Sequence, residues 1–185
     1  MGRLLSQKRV TLAFSWRIAP MTFSFIHITN HHLSESEASL VHGFSPAHAF
    51  RAVMRHIAEN VANSADFIVT TGDLVEPASD VAYRNLRHML DFHDDLEAPD
   101  PLRVSVEGLQ DFPLYCLPGN HDDRSRFCQY LFPKTPPAPL MNVAFTYKGV
   151  QFVCLDGGPN LKPSLTPQHS IFLHGHSRQI CLPSF

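Results

Sequence analysis

Two spacings of apolar residues alternate along the chain. Runs rich in β-branched and aromatic residues, "FSFIHI" (23–28), "DFIVTTGDLVE" (66–76) and "FPLYCLPGNHDD" (112–123), each pass into a polar or glycine-bearing stretch. Buried strands have this pattern, stopping where side chains become useful. After the first run the spacing becomes helical: Ser45 stands as a cap and Pro46 in the first turn, and Phe50, Val53, Met54, Ile57 and Val61 follow as one apolar stripe to be packed on a sheet. Residues 79–96 carry a second amphipathic pattern, and 98–111 read as irregular or partly stranded. A short helix over 125–132 is stopped by the proline cluster "PKTPPAP" (133–139). Residues 143–156 then read as two strands about a Lys148-Gly149 turn. Strand and helix in alternation predict an α/β sheet with crossover helices.

Composition narrows the classes. At 185 residues and 44% hydrophobic content the chain can bury one sizeable core. Charged residues at 17% and a net charge of −2 leave no broad basic surface, which argues against nucleic acid or anionic lipid as a partner. No apolar run approaches the roughly 20 residues that a membrane span needs. The four cysteines, Cys116, Cys128, Cys154 and Cys181, form no CxxC pair, so reduced thiols in a cytoplasmic protein are expected. Residues 1–20 hold Arg3, Lys8, Arg9 and Arg17 with no acid. Residues 1–21 therefore read as a disordered extension or a start placed too early, with the folded domain over 22–185.

Three strand ends carry candidate chemistry: Asn30-His31-His32, Gly72-Asp73 and Gly119-Asn120-His121-Asp122. In open α/β sheets ligands bind just outside the carboxyl ends of strands, so three such ends can converge. Gly-Asp and Pro-Gly-Asn are each ordinary turn chemistry, and among twelve histidines a single one is more often a satisfied polar residue than a ligand. The order and combination carry the signal. If the first strand continues, Asn30 and His32 project to one side and His31 to the other. Asp73 has two carboxylate oxygens and can bridge two divalent ions. Asn120 offers a neutral carbonyl oxygen, and His121 suits a general acid.

"FIHITNHHL", "TTGDLVE" and "LPGNHDD" resemble the D-x-H, G-D and G-N-H-D/E motifs of the calcineurin-like metallophosphoesterases, over roughly residues 23–172. Within that family the chain is most similar to the cyclic-nucleotide phosphodiesterase and glycerophosphodiesterase branch. The resemblance implies an α/β fold of the two-layered αββα sandwich type, with mixed sheets and crossover helices. It also implies two divalent metal ions, of iron, manganese or zinc, and hydrolysis of a small phosphoester such as a cyclic nucleotide or glycerophosphodiester. By position, His32 matches a ligand of the first metal, Asp73 the bridging aspartate and Asn120 a ligand of the second. His121 matches the histidine that protonates the leaving group or stabilises the transition state, and Asp122 the acid that supports it.

The chain departs from the family pattern at two places. Asn30 stands where the family has a metal-binding aspartate; its carbonyl can coordinate, but one negative charge is gone. Near the C-terminus "LHGHSRQ" offers Gly175-His176 with Arg178 in place of the last histidine of G-H-x-H. His176 is then either a second-metal ligand or a solvated residue past the helix that Leu165, Gln168, Ile171, Phe172 and Leu173 outline, the latter if the domain is incomplete at its C-terminus. Enzyme, inactive remnant and binding module are the readings carried forward.

Overall fold

The computed structural model describes residues 22–90, 102–106, 109–133, 136–159 and 167–169. The three apolar runs form β1 (Phe25–Thr29), β2 (Phe67–Thr71) and β4 (Leu109–Leu117), with β2 parallel to both β1 and β4. The stretch read as irregular or partly stranded supplies β3 (Leu102–Val106), antiparallel to β4, which completes a sheet of order β1-β2-β4-β3. Mixed pairing of this kind, with helical crossovers between the parallel strands, is the architecture expected of part of an αββα sandwich.

The helices follow their sequence signals. α1 (Pro46–Asn60) opens on Ser45, whose Oγ accepts the His48 N–H at 3.2 Å. α2 is Asp80–Leu90, and α3 (Arg124–Leu131) is capped by Asp123, whose carboxylate accepts the Arg126 N–H at 2.8 Å. Phe50, Met54 and Ile57 of α1 are buried, whereas Val53 is 45% exposed and corrects the expectation of a core position. Positions 50, 54, 57 and 61 fall on one stripe at about 100° per residue, and residue 53 lies on its flank.

Alternation along the strands separates two cores. On one face Ile68, Leu114 and Cys116 meet the helices through Phe50, Met54, Leu86 and Phe127. On the other, Phe67, Val69 and Tyr115 are covered by a hairpin of β5 (Val143–Tyr147) and β6 (Val150–Cys154), turning at Lys148-Gly149 as the sequence indicates. The contact is aromatic: the Tyr115 and Phe145 rings stack at 3.5 Å between centroids, and Phe67 meets Phe145, Tyr147 and Phe152 edge-on. Asp66 ties the hairpin to the sheet, accepting from Ser24 N–H at 3.0 Å, Tyr147 hydroxyl at 2.7 Å and Lys148 Nζ at 2.8 Å. Among the described residues Cys116, Cys128 and Cys154 take part in no disulfide. Among the described residues no helix is long and apolar enough to cross a membrane.

Pairing does not stop at the strand ends. Asn30 N–H donates to Gly72 O (3.1 Å), His32 N–H to Asp73 O (2.9 Å), Leu33 N–H to Leu74 O (3.0 Å) and Glu76 N–H to Leu33 O (2.9 Å). The loops leaving β1 and β2 are thereby zipped side by side. The loop leaving β4 joins them through close backbone approach, because a Cβ on Gly119 would lie 2.7 Å from Gly72 Cα and would overlap the amide nitrogen and Oδ1 of Asp73. Gly72 itself has φ +74°, which favours glycine.

Two expected outcomes follow from this framework. Gly119→Ala forces Asp73 aside and should cost about 1–3 kcal/mol of stability, read by denaturant unfolding; an unchanged midpoint would show that the loops separate freely. For Asp66, hydrogen bonds from Lys148 and Tyr147 and then Ser24 hold the carboxyl down to about 2 from 3.8. A depressed carboxyl pKa stabilises the fold fully above the ordinary value, and that contribution is lost as pH falls through the folded one. The stability gap between wild type and Asp66→Asn should therefore close between about pH 4 and about pH 2. A gap constant across that range would mean that the charge does not hold the hairpin.

Candidate metal centre

The zipped loops decide where each polar side chain goes. β1 ends at Thr29, and Asn30 and His32 both take positive φ, +58° and +46°. The strand alternation on which a shared side for Asn30 and His32 depends therefore ends before either residue. His31 turns inward. Its ring meets Phe50 edge-on, Nε2 is hydrogen-bonded to Thr70 Oγ1, and burial, then the neighbouring His32, hold the imidazole down to about 4. It is a partly buried histidine, neutral at physiological pH.

Asn30 is exposed, and its side-chain amide donates to Thr29 Oγ1 at 3.0 Å. With Thr29, His31, Pro46, Phe50 and Val53 it lines a shallow groove at the N-terminal end of α1. His32 is placed against the β2 loop instead. Its Nε2 stands 4.0 Å from Asp73 Oδ2, and its Nδ1 stands 2.8 Å from Glu76 Oε2. Asp73, at φ +52°, turns its other oxygen to accept the His121 N–H at 3.0 Å. The aspartate thus lies between the β1 and β4 loops. His121 Nδ1 faces Glu76 Oε1 at 3.4 Å, and the His32 and His121 rings are 5.3 Å apart. Asn120 lies half-buried in the same turn.

Asp122 has both oxygens engaged by main-chain amides and a hydroxyl. It is 3% exposed and accepts from the amides of Gly119 (2.7 Å), Leu74 (3.1 Å) and Val75 (3.3 Å) and from the Tyr83 hydroxyl (3.1 Å). Burial pushes its carboxyl above the usual carboxylate range, against the pull of these four donors. The Tyr83 phenol is pushed up as well, first by burial and then by the Asp122 charge. Behind the turn, buried Arg124 holds the Gly119 and Asp122 carbonyls at 2.6 and 2.7 Å and pairs with buried Asp156, Nη2 to Oδ1 at 2.5 Å. His176 lies outside the described residues.

Of the residues marked out in the sequence, His32, Asp73 and His121 are brought together, while Asn30 is engaged with Thr29. Glu76, Tyr83, Arg124 and Asp156 were not marked out. For Glu76 a signal existed: it stands three positions after Asp73 in "GDLVE", within reach once the loops are zipped. His32, Glu76 and His121 offer donor atoms within 4.8 Å of one another. Imidazole nitrogen with carboxylate oxygen suits zinc, manganese and iron. The orientation fits a cation as well. His32 Nδ1 is buried and makes no hydrogen bond even though Glu76 Oε2 is 2.8 Å away, so the two groups are side by side and not aimed at each other. Such a pair can share a third centre.

Two known phosphodiesterases are similar in sequence to this chain. Over 102 residues, 55% of this chain, it is 31% identical to a 3',5'-cyclic-nucleotide phosphodiesterase of Nostoc sp.. Over 133 residues, 71% of the chain, it is 27% identical to the 3',5'-cyclic adenosine monophosphate phosphodiesterase CpdA of Haemophilus influenzae. These matches span 32% and 39% of the two relatives, so the chain corresponds to about a third of their length. The calcineurin-like phosphoesterase profile matches residues 23–182, nearly the whole chain and all three polar strand ends, and the chain therefore belongs to that family of hydrolases.

Proposed function

We propose that this chain carries the metal-binding and proton-transfer core of a phosphodiesterase acting on a small phosphoester, a 3',5'-cyclic nucleotide being the favoured substrate. The observation that supports it most directly is the juxtaposition of His32, Asp73, Glu76 and His121 on zipped loops at the carboxyl ends of parallel strands. The two phosphodiesterase relatives support the cyclic-nucleotide class. Free thiols at Cys116, Cys128 and Cys154 suit work in the cytoplasm.

Divalent cations held here would supply Lewis acidity toward the phosphoryl oxygens and activate water at neutral pH. In this reading Asp73 would offer its carboxylate to both ions, His32 would serve the first, and Asn120 and His176 would serve the second. His121 delivers the proton to the leaving oxygen. Its Nδ1 faces Glu76 while its backbone N–H is fixed by Asp73, which leaves Nε2 to face the substrate. Asp122 acts through the backbone, fixing the turn on which Asn120 and His121 stand.

A second reading has its own observation. Asn30 replaces a carboxylate and turns its amide to Thr29, which fits a chain that retains the fold and binds a nucleotide without turnover. Hydrolysis of cyclic AMP and of an aryl phosphodiester by the purified chain with Mn²⁺ separates the two. Turnover is expected, lost on chelation and in Asp73→Ala, and lowered by about 10²–10⁴ in His121→Ala. Cyclic AMP binding by a folded sample with no turnover above these variants would establish the binding module instead.

A further inference from the structure

We propose that Glu76 supplies the carboxylate that residue 30 lacks, so that in this chain the cation beside His32 is held by a residue of the β2 loop and not by the end of β1. The inference rests on the metal-centre reading above and assigns one of its ligands.

Glu76 is held where a ligand must be. Its N–H donates to Leu33 O at 2.9 Å and its carbonyl accepts the Ser34 hydroxyl at 2.8 Å, so its backbone is fixed on both sides to the loop that carries His32. Its two carboxylate oxygens lie beside the two imidazoles, Oε2 2.8 Å from His32 Nδ1 and Oε1 3.4 Å from His121 Nδ1. Other acids nearby are committed. Asp122 receives three amides and a hydroxyl, and Asp123 caps α3. Asp73 brings one charge, and a second carboxylate restores the electrostatic balance that Asn30 removed.

Asn30 itself is exposed with its amide nitrogen on Thr29 Oγ1, whereas His32 Nδ1 is buried, lacks a hydrogen bond and stands beside Glu76. Glu76 therefore has two tasks that follow from one geometry. One oxygen joins His32 on the cation, and the other orients His121, as carboxylates commonly do for imidazoles near metals.

Calorimetric titration of the full chain with Mn²⁺ and with Zn²⁺ tests this without reference to turnover. Wild type is expected to bind, Glu76→Gln to bind at least about ten- to a hundredfold more weakly, and Asn30→Ala to keep the wild-type affinity. Glu76→Asp, which keeps the charge on a shorter arm, should fall between. Circular dichroism and thermal unfolding of the metal-free variants establish that Glu76→Gln is folded. Wild-type affinity in Glu76→Gln, with loss in Asn30→Ala, would overturn the assignment while the metal centre stands. Absence of binding by folded wild type would overturn the metal centre itself. Tight, Glu76-dependent binding by a chain that hydrolyses no phosphodiester would uphold this assignment and defeat the phosphodiesterase reading alone.

Discussion

Four donors converge on one buried carboxylate, and the geometry of the whole site hangs on that convergence. Asp122 takes the Leu74 and Val75 amides from the β2 loop, the Gly119 amide from the β4 loop and the Tyr83 hydroxyl from α2. A carboxylate taken out of water is costly unless its lone pairs are filled, and three orphaned amides would be costly in turn. Each group is needed by the others. The bond network therefore locks the exits of β2 and β4 at one spacing, with Gly119 and Gly72 close enough that a methyl group cannot intervene. The β1 exit is then fixed by its own backbone pairing with 72–76. Convergence of His32, Asp73 and His121 is a consequence of main-chain bonding, which explains how several polar groups sit together before any ligand compensates them.

A buried ion pair joins this frame to the hairpin side of the molecule. Arg124 donates to carbonyls of the Gly119–Asp122 turn and to Asp156, and Asp156 also accepts the Met141 and Gly158 amides. Its carbonyl meets the buried His169 Nε2 at 2.7 Å. A buried pair is weak evidence of net stability, but with every carboxylate lone pair assigned it fixes one register between the segment after β6 and the Gly119–Asp122 turn. The aromatic layer supplies the non-directional part of the same contact, through Phe67, Tyr115 and Phe145.

Local signals made much of the fold legible. The Ser45 cap, the stripe of α1, the Lys148-Gly149 turn and the polar strand ends are all short-range features, and the structure realises each. What was hidden was long-range. β3 is specified by pairing with β4 more than by its own pattern. Strand alternation gives no rule for Asn30 and His32, because the backbone takes positive φ directly after Thr29. Asp122 follows His121 in sequence, yet its oxygens serve amides 47 and 48 residues away. Adjacency in a motif does not specify contact between side chains.

Glu76 shows the same limit from the other direction. A carboxylate missing at residue 30 sends the search to neighbours in the "TNHHLS" turn, where there is none before Glu35. In space the nearest source is the partner loop, since pairing of Leu33 with Val75 brings residue 76 opposite the end of that turn. Moving the charge from β1 to the β2 loop also changes what controls the site. Every second residue of β1 is exposed, from Phe25 to Thr29, whereas β2 is buried along nearly its full length in the middle of the sheet. With Asp73 and Glu76 on one loop, both carboxylates are anchored by the most constrained strand, and β1 needs only to deliver a single imidazole. Under the assignment of Glu76 proposed above, a site divided this way needs no acid on β1 as long as the zipped loops hold.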